Sequence, residues 1–191
     1  MSNVALKIPV DDEIELRLNE AHYTDEYLAL TLRNLEYLQE WMAWAAFEQT
    51  HASMQAYMKG SMQQFVDGTA LPTNLWYRGQ LVGSIGYPRI IREKSVGEIG
   101  YWLSQDMQGR GIITRACRTL VTYGFQEYGL NKIEIRAAVG NKPSRAVAER
   151  LGFTQEGILR QVDERLHEPM TWFSMYARQR VAPAIAPIPK K

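Results

Sequence analysis

Only one cysteine, Cys117, occurs in the 191 residues. A single thiol excludes an intramolecular disulfide and any metal site built on several cysteines, and no metal is expected. The chain has three histidines, and its charges balance to a formal +1. No polybasic stripe is visible, which argues against a nucleic-acid partner. No apolar run approaches the length of a membrane-spanning helix. The first residues, MSNVALKIPVDDE, lack the apolar core of a signal segment; a cytoplasmic location and no membrane partner are therefore expected. There is no internal repeat and no linker that would divide the chain. What remains is an ordinary globular composition, 46% hydrophobic and 23% charged, enough for one well-filled core. One domain is expected over residues 1–180. The Pro- and Ala-rich tail, 181–191, is expected to be disordered.

Hydrophobic periodicity orders the rest. Residues 4–18 contain short strand-like pieces, with Ile14, Leu16 and Leu18 alternating against Glu15 and Arg17. Thr24-Asp25-Glu26 reads as an N-cap followed by first-turn acids. The helix it opens runs through Leu35 into the aromatic region of Leu38, Trp41, Met42 and Trp44. A second helix is predicted over 52–66, closed by Asp67-Gly68. Strands follow at 74–77 and 80–87, joined by the hairpin signal Arg78-Gly79, and a third at 96–103. A helix reaches about residue 128, with Cys117 on its apolar face and so in the core. A buried strand is predicted at 133–139, a short helix at 141–151, and strands at 153–159 and 171–177. The pattern predicts a mixed α+β domain with a mainly antiparallel sheet. It lacks the regular strand–helix alternation of a dinucleotide-binding fold.

Between the third strand and the long helix lies Gln108-Gly109-Arg110-Gly111-Ile112-Ile113-Thr114. A glycine-containing turn that opens a helix leaves backbone N–H groups free, and the helix dipole adds partial positive charge there. Such a turn suits a phosphate, because a Cβ at either glycine would hold the ligand away from the backbone. Arg110 and Arg115 either add charge to the phosphates or are simply solvated.

Two segments read together narrow the ligand: Gly97-Glu98-Ile99-Gly100-Tyr101-Trp102-Leu103 with the turn after it, and Asn141-Lys142-Pro143-Ser144 through Leu151-Gly152-Phe153. Together they resemble the GNAT superfamily of acetyl-CoA-dependent N-acetyltransferases. The match is closest to the RimJ/RimL branch and its YdaF-like members. The resemblance is strong over 85–157 and weaker upstream, and it does not cover the tail. It implies the GNAT fold, with a central sheet splayed at the acetyl-CoA site. It also implies that the turn 108–114 receives the coenzyme A diphosphate, and that Tyr101, Trp102, Leu103 and Asn141 hold the pantetheine arm. Arg145 joins this cofactor-binding set, and the thioester lies near Ser144. Ile113 stands where the family usually has Gly or Ala.

By the same resemblance the reaction is direct attack of a neutral amine on the thioester, without an acyl-enzyme. Glu98 is the candidate base, with a structural carboxylate as the alternative. A backbone N–H near Trp102 or Leu103 is the candidate oxyanion donor. Many members use a tyrosine at the position of Ala148 to serve the departing thiolate; here Ser144 is the candidate, with helix capping as the alternative. Trp41, Trp44, Phe47, Tyr87 and His167 are candidates to line the acceptor site, although aromatics on the first helices also suit a core. An α-amine has a pKa of about 7.7–8.0 and a lysine about 10.4, so deprotonating lysine at pH 7 costs about 3.5 kcal/mol more. With no strong base constellation visible, an α-amine is favoured: a protein N-terminus, in that branch a ribosomal one. The alternatives are a small amine (polyamine, amino acid or antibiotic) and a non-catalytic acetyl-CoA-binding module. Edge strands near the C-terminus would allow a homodimer.

Overall fold

Alternation in the N-terminal segment produces a strand with one dry face. In the computed structural model, which describes residues 6–160 and 169–177, Ile14, Leu16 and Leu18 are buried and the residues between them half-exposed. This strand, β2 (Ile14–Leu18), pairs with β1 (Lys7–Pro9) and with β3 (Leu71–Tyr77). Arg78 and Gly79 both adopt positive φ, +50° and +76°, as the tight turn into β4 (Gln80–Ile91) requires. After β4 come β5 (Val96–Leu103), β6 (Lys132–Ala138), β7 (Thr154–Leu159) and β8 (Met170–Tyr176). Among the described residues they form one eight-stranded sheet in the order β1-β2-β3-β4-β5-β6-β8-β7. Every pairing is antiparallel except β5 with β6.

A parallel pair needs a crossover, and α4 (Ile112–Gln126) provides it. α4 and α5 (Lys142–Arg150) pack on one face of the sheet; α1 (Thr24–Arg33), α2 (Leu35–Trp41) and α3 (His51–Val66) cover part of the other. The larger core lies under α4, where Ile99, Ile112, Cys117, Leu120 and Ile133 meet. A smaller one, with Tyr27, Met58, Trp76 and Trp102, lies under α1 and α3.

Three local expectations change. The first helix is two, broken at Asn34. The Asn34 side chain donates to Leu30 O at 2.9 Å, and its Oδ1 accepts from Gln105 N at 2.9 Å and Ser104 Oγ at 3.2 Å; a short amide side chain competes with the helical backbone in this way. Thr24 is the first residue of α1 rather than its cap, and its Oγ1 donates to Ala21 O. α3 starts at His51 behind Thr50, which forms a capping box with Ser53. The expectations for Val4, His167 and the tail 181–191 concern residues outside those described.

Candidate active site

The β5–β6 ladder runs from Val96↔Lys132 to Ile99↔Ile135 and stops. Beyond it β5 stays paired with β4 through Leu103↔Gly83, and β6 with β8 through Ala138↔Met170. The two strands thus part at Gly100 and Arg136. On the side facing the gap, the backbone of Gly100 to Leu103 has no strand partner among the described residues. This is the splay that the family resemblance implies.

The glycine turn stands at the head of this gap. Gly109 and Gly111 have φ of +75° and +71°, and among the described residues a Cβ on either would meet no atom within 4 Å. Gly111 is the N-cap of α4, and no side chain caps the helix. Ile112 and Ile113 turn their side chains into the core, so only their backbone is available to a ligand. This also explains how a bulky residue is accommodated at position 113. Thr114 is half-buried, and Arg150 Nη1 reaches its Oγ1 at 3.4 Å. Arg150 thus brings a cation beside the first turn of α4, a neighbour that sequence spacing does not signal. Gln108 and Arg110 are exposed, and Arg110 donates to Asp106 O at 3.3 Å. Arg115 is neither solvated nor aimed at the turn: it pairs with Asp11 at 2.8 Å and Glu13 at 3.0 Å.

Across the gap, Asn141 caps α5: its Oδ1 accepts from Ser144 N at 3.1 Å. Capping therefore falls to Asn141, and the Ser144 hydroxyl is free of that duty. The Ser144 Oγ lies 3.0 Å from the Tyr101 hydroxyl, which also donates to Ser144 O at 3.1 Å. A phenol from β5 thus reaches the first turn of α5 and spans the opening. Burial pushes the Tyr101 phenol well above its ordinary value. Ala148 is fully buried. Arg145 donates to Val139 O at 3.2 Å and lies 3.8 Å from Glu149. Cys117 is fully buried, and burial pushes its thiol up, as a core residue requires.

Glu98 sits on the opposite face of β5. Arg89 donates to its Oε2 at 3.0 Å, and Arg136 Nη2 lies at 3.7 Å. It stands beside neighbouring strands, outside the lining of the cavity that β5 borders.

That cavity, about 560 Å³, meets β5 at Gly100, Tyr101 and Trp102. Trp44 and Phe47 line it; Trp41, half-buried at the end of α2, does not. Tyr87 is a correction. It is fully buried under α4, on the other face of the sheet, with its hydroxyl donating to Leu120 O at 2.8 Å. Side chains alternate along β4, so Ser84 and Gly86 face the cavity while Ile85 and Tyr87 pack beneath the helix. Tyr27, Met54 and Tyr57 line the cavity too; their helical spacing reads equally well as core. Among the described residues no cluster of His, Cys, Asp or Glu could hold a metal, and no helix is long and apolar enough to cross a membrane.

Known proteins resemble this chain in sequence and fold. The Bacillus subtilis (strain 168) protein named "Putative ribosomal N-acetyltransferase YdaF" is 34% identical over 176 residues, covering 89% of this chain and 94% of its own. The Escherichia coli (strain K12) ribosomal-protein-serine acetyltransferase is 30% identical over 171 residues, covering 90% and 95%. The structure of the microcin C7 self immunity acetyltransferase MccE, in complex with acetyl-CoA and AMP, superposes with a TM-score of 0.83 at 29% identity, over 88% of this chain and 95% of that one. The family model described as "Acetyltransferase (GNAT) domain" matches residues 14–154. The parted strands, the uncapped glycine turn and these likenesses lead to one conclusion: the chain belongs to the GNAT family of N-acetyltransferases.

Proposed function

We propose that the protein transfers the acetyl group of acetyl-CoA to the N-terminal α-amine of a protein, a ribosomal protein among its relatives' named substrates, by direct attack within a ternary complex. One observation carries the reading. The gap between β5 and β6 has a hydroxyl pair, Tyr101 with Ser144, on one face of the sheet and a cavity large enough for an amine substrate on the other.

The turn 108–114 suits a diphosphate, since the space above Gly109 and Gly111 is open and the helix end is uncapped. Asn141 and the unpaired backbone of Gly100 to Leu103 would hold the pantetheine arm. When bound, acetyl-CoA supplies an activated acyl group and a thiolate leaving group. Ser144 offers a hydroxyl proton at the start of α5, and Tyr101 hydrogen-bonds that hydroxyl and stays protonated at any physiological pH. This pair takes the role that a tyrosine at position 148 has in other members. An α-amine, with a pKa near 8, is partly neutral at pH 7–8 and needs no strong base. Glu98, held by two arginines, organises the sheet in this reading, and water takes the amine proton. A cytoplasmic location and a homodimer through the edge strand β7 belong to the same proposal.

Thiol release would be followed with a panel of N-terminal peptides and with spermidine, free amino acids and aminoglycosides. Peptide turnover is expected. Turnover of a small amine with none of any peptide would overturn the acceptor assignment. Ser144→Ala should lower kcat by about 10²-fold with CoA affinity unchanged; undiminished transfer would remove Ser144 from the chemistry.

A further inference from the structure

The acceptor cavity has an unusual wall. Tyr27, Met42, Trp44, Phe47, Met54 and Trp102 line it. Trp102 Nε1 donates to the Tyr27 hydroxyl at 3.0 Å, and the two rings meet edge to face with centroids 5.7 Å apart. The indole N–H is therefore satisfied inside the wall. The Trp44 ring centroid lies 6.4 Å from that of Trp102. At 37% and 55% exposure, Trp44 and Phe47 leave large apolar surfaces in contact with water, a mark of a binding surface.

Charge is sparse by comparison. Among the described residues, the only one of the four charged types (Asp, Glu, Lys, Arg) that lines the cavity is Glu48. A carboxylate or phosphate on the acceptor would give up hydration there and meet no cation among the described lining residues. A polycation would find a single carboxylate among them. Neither an acidic peptide nor a polyamine matches this lining, but an amine attached to an apolar body does.

We infer that the cavity takes the first side chain of the acceptor, and that this side chain is large and apolar, either aromatic or a thioether. This rests on the α-amine reading given above. Ring faces and the Met54 thioether cover the side chain, and Glu48 draws in the ammonium group before it loses its proton. A serine or alanine N-terminus would leave the rings wet. The expected preference thus departs from the serine in the name of the Escherichia coli relative.

Two measurements on the full chain test this. Calorimetric titration without acetyl-CoA uses phenylalanine amide, methionine amide, serine amide and spermidine. Thiol release with acetyl-CoA uses peptides identical after a first residue of Phe, Met, Ser, Ala or Asp. Phe and Met should exceed Ser and Ala by about tenfold or more, in affinity and in kcat/KM, with Asp last. Trp44→Ala and Phe47→Ala, both at exposed positions, should each shrink the Phe-to-Ser ratio several-fold. Glu48→Gln should raise KM for every amine by the same factor, up to about fivefold, and leave the ratio alone. Serine equal to or better than phenylalanine in either measurement would overturn the inference, as would a ratio indifferent to Trp44→Ala and Phe47→Ala. Tight binding of phenylalanine amide with no transfer to any amine would support the cavity assignment and overturn the transfer reading alone.

Discussion

Tyr101 serves the site in two ways: its backbone edges the gap, and its hydroxyl lies 3.0 Å from Ser144 Oγ. Because burial raises its pKa, deprotonation of this phenol does not limit the reaction on the alkaline side. We expect kcat/KM for a peptide acceptor to rise with pH through the α-amine pKa, about 7.7–8.0, and then to stay level to pH 10. A fall setting in near pH 9 would contradict a protonated role for Tyr101. Tyr101→Phe should bind CoA normally and lose about tenfold or more in kcat. Under α4, Gly124 leaves the space that the Tyr87 hydroxyl occupies, and a Cβ there would collide with it. Gly124→Ala should therefore destabilise by about 1–3 kcal/mol, despite the better helix propensity of alanine, about 1 kcal/mol. Removing the hydroxyl in the double variant with Tyr87→Phe should recover part of that loss, as a double-mutant cycle in denaturant would read.

At the scale of elements, the start of α4 is left open and its body does the packing. Ile112, Ile113, Ala116, Cys117 and Leu120 are all buried, so the helix has little freedom to shift when its N-terminus meets a ligand. Gly111 reverses the chain with φ of +71°. An alanine there costs about 1–2 kcal/mol in the left-handed region and puts a methyl into the open space over the turn. Gly111→Ala should weaken CoA binding at least about tenfold by calorimetry while the protein stays folded. Unchanged affinity would show that the diphosphate sits elsewhere. Asn34 secures the other side of the same turn. By accepting from Gln105 N and Ser104 Oγ, it ties the break between α1 and α2 to the segment that leads into the glycines.

For the whole molecule, the sheet separates two tasks. Under α4 the core is dense and apolar, and beneath α1 and α3 the smaller cluster adjoins the cavity of about 560 Å³. Burial in the larger core also makes stability depend on pH. The Cys117 thiol is pushed up in the folded protein, whereas an unfolded cysteine titrates near 8.5. Below that value both states keep the proton and stability is full. Above it the unfolded chain releases the proton first, so stability falls by up to about 1.4 kcal/mol per pH unit. Tyr101 adds the same sign above about pH 10. Under reducing conditions the unfolding free energy should decline from pH 8.5 to 10, and Cys117→Ala should flatten that decline.

The sequence pointed to the family through a resemblance, and by itself determined most of the elements and the glycine turn. These rest on short-range physics: the two-residue alternation of β2, the left-handed turns at Arg78-Gly79 and Gly111, and the Asn-x-x-Ser helix start are each local. The pairing of Arg115 with the N-terminal acids, the ion pairs of Glu98 and the face to which Tyr87 belongs required the tertiary structure. Each depends on which strand or helix lies beside it. Tyr87 shows the reason most plainly. An aromatic residue on a strand is equally at home against a core or a cavity, and only the positions of α4 and Gly124 decide that it packs into the core.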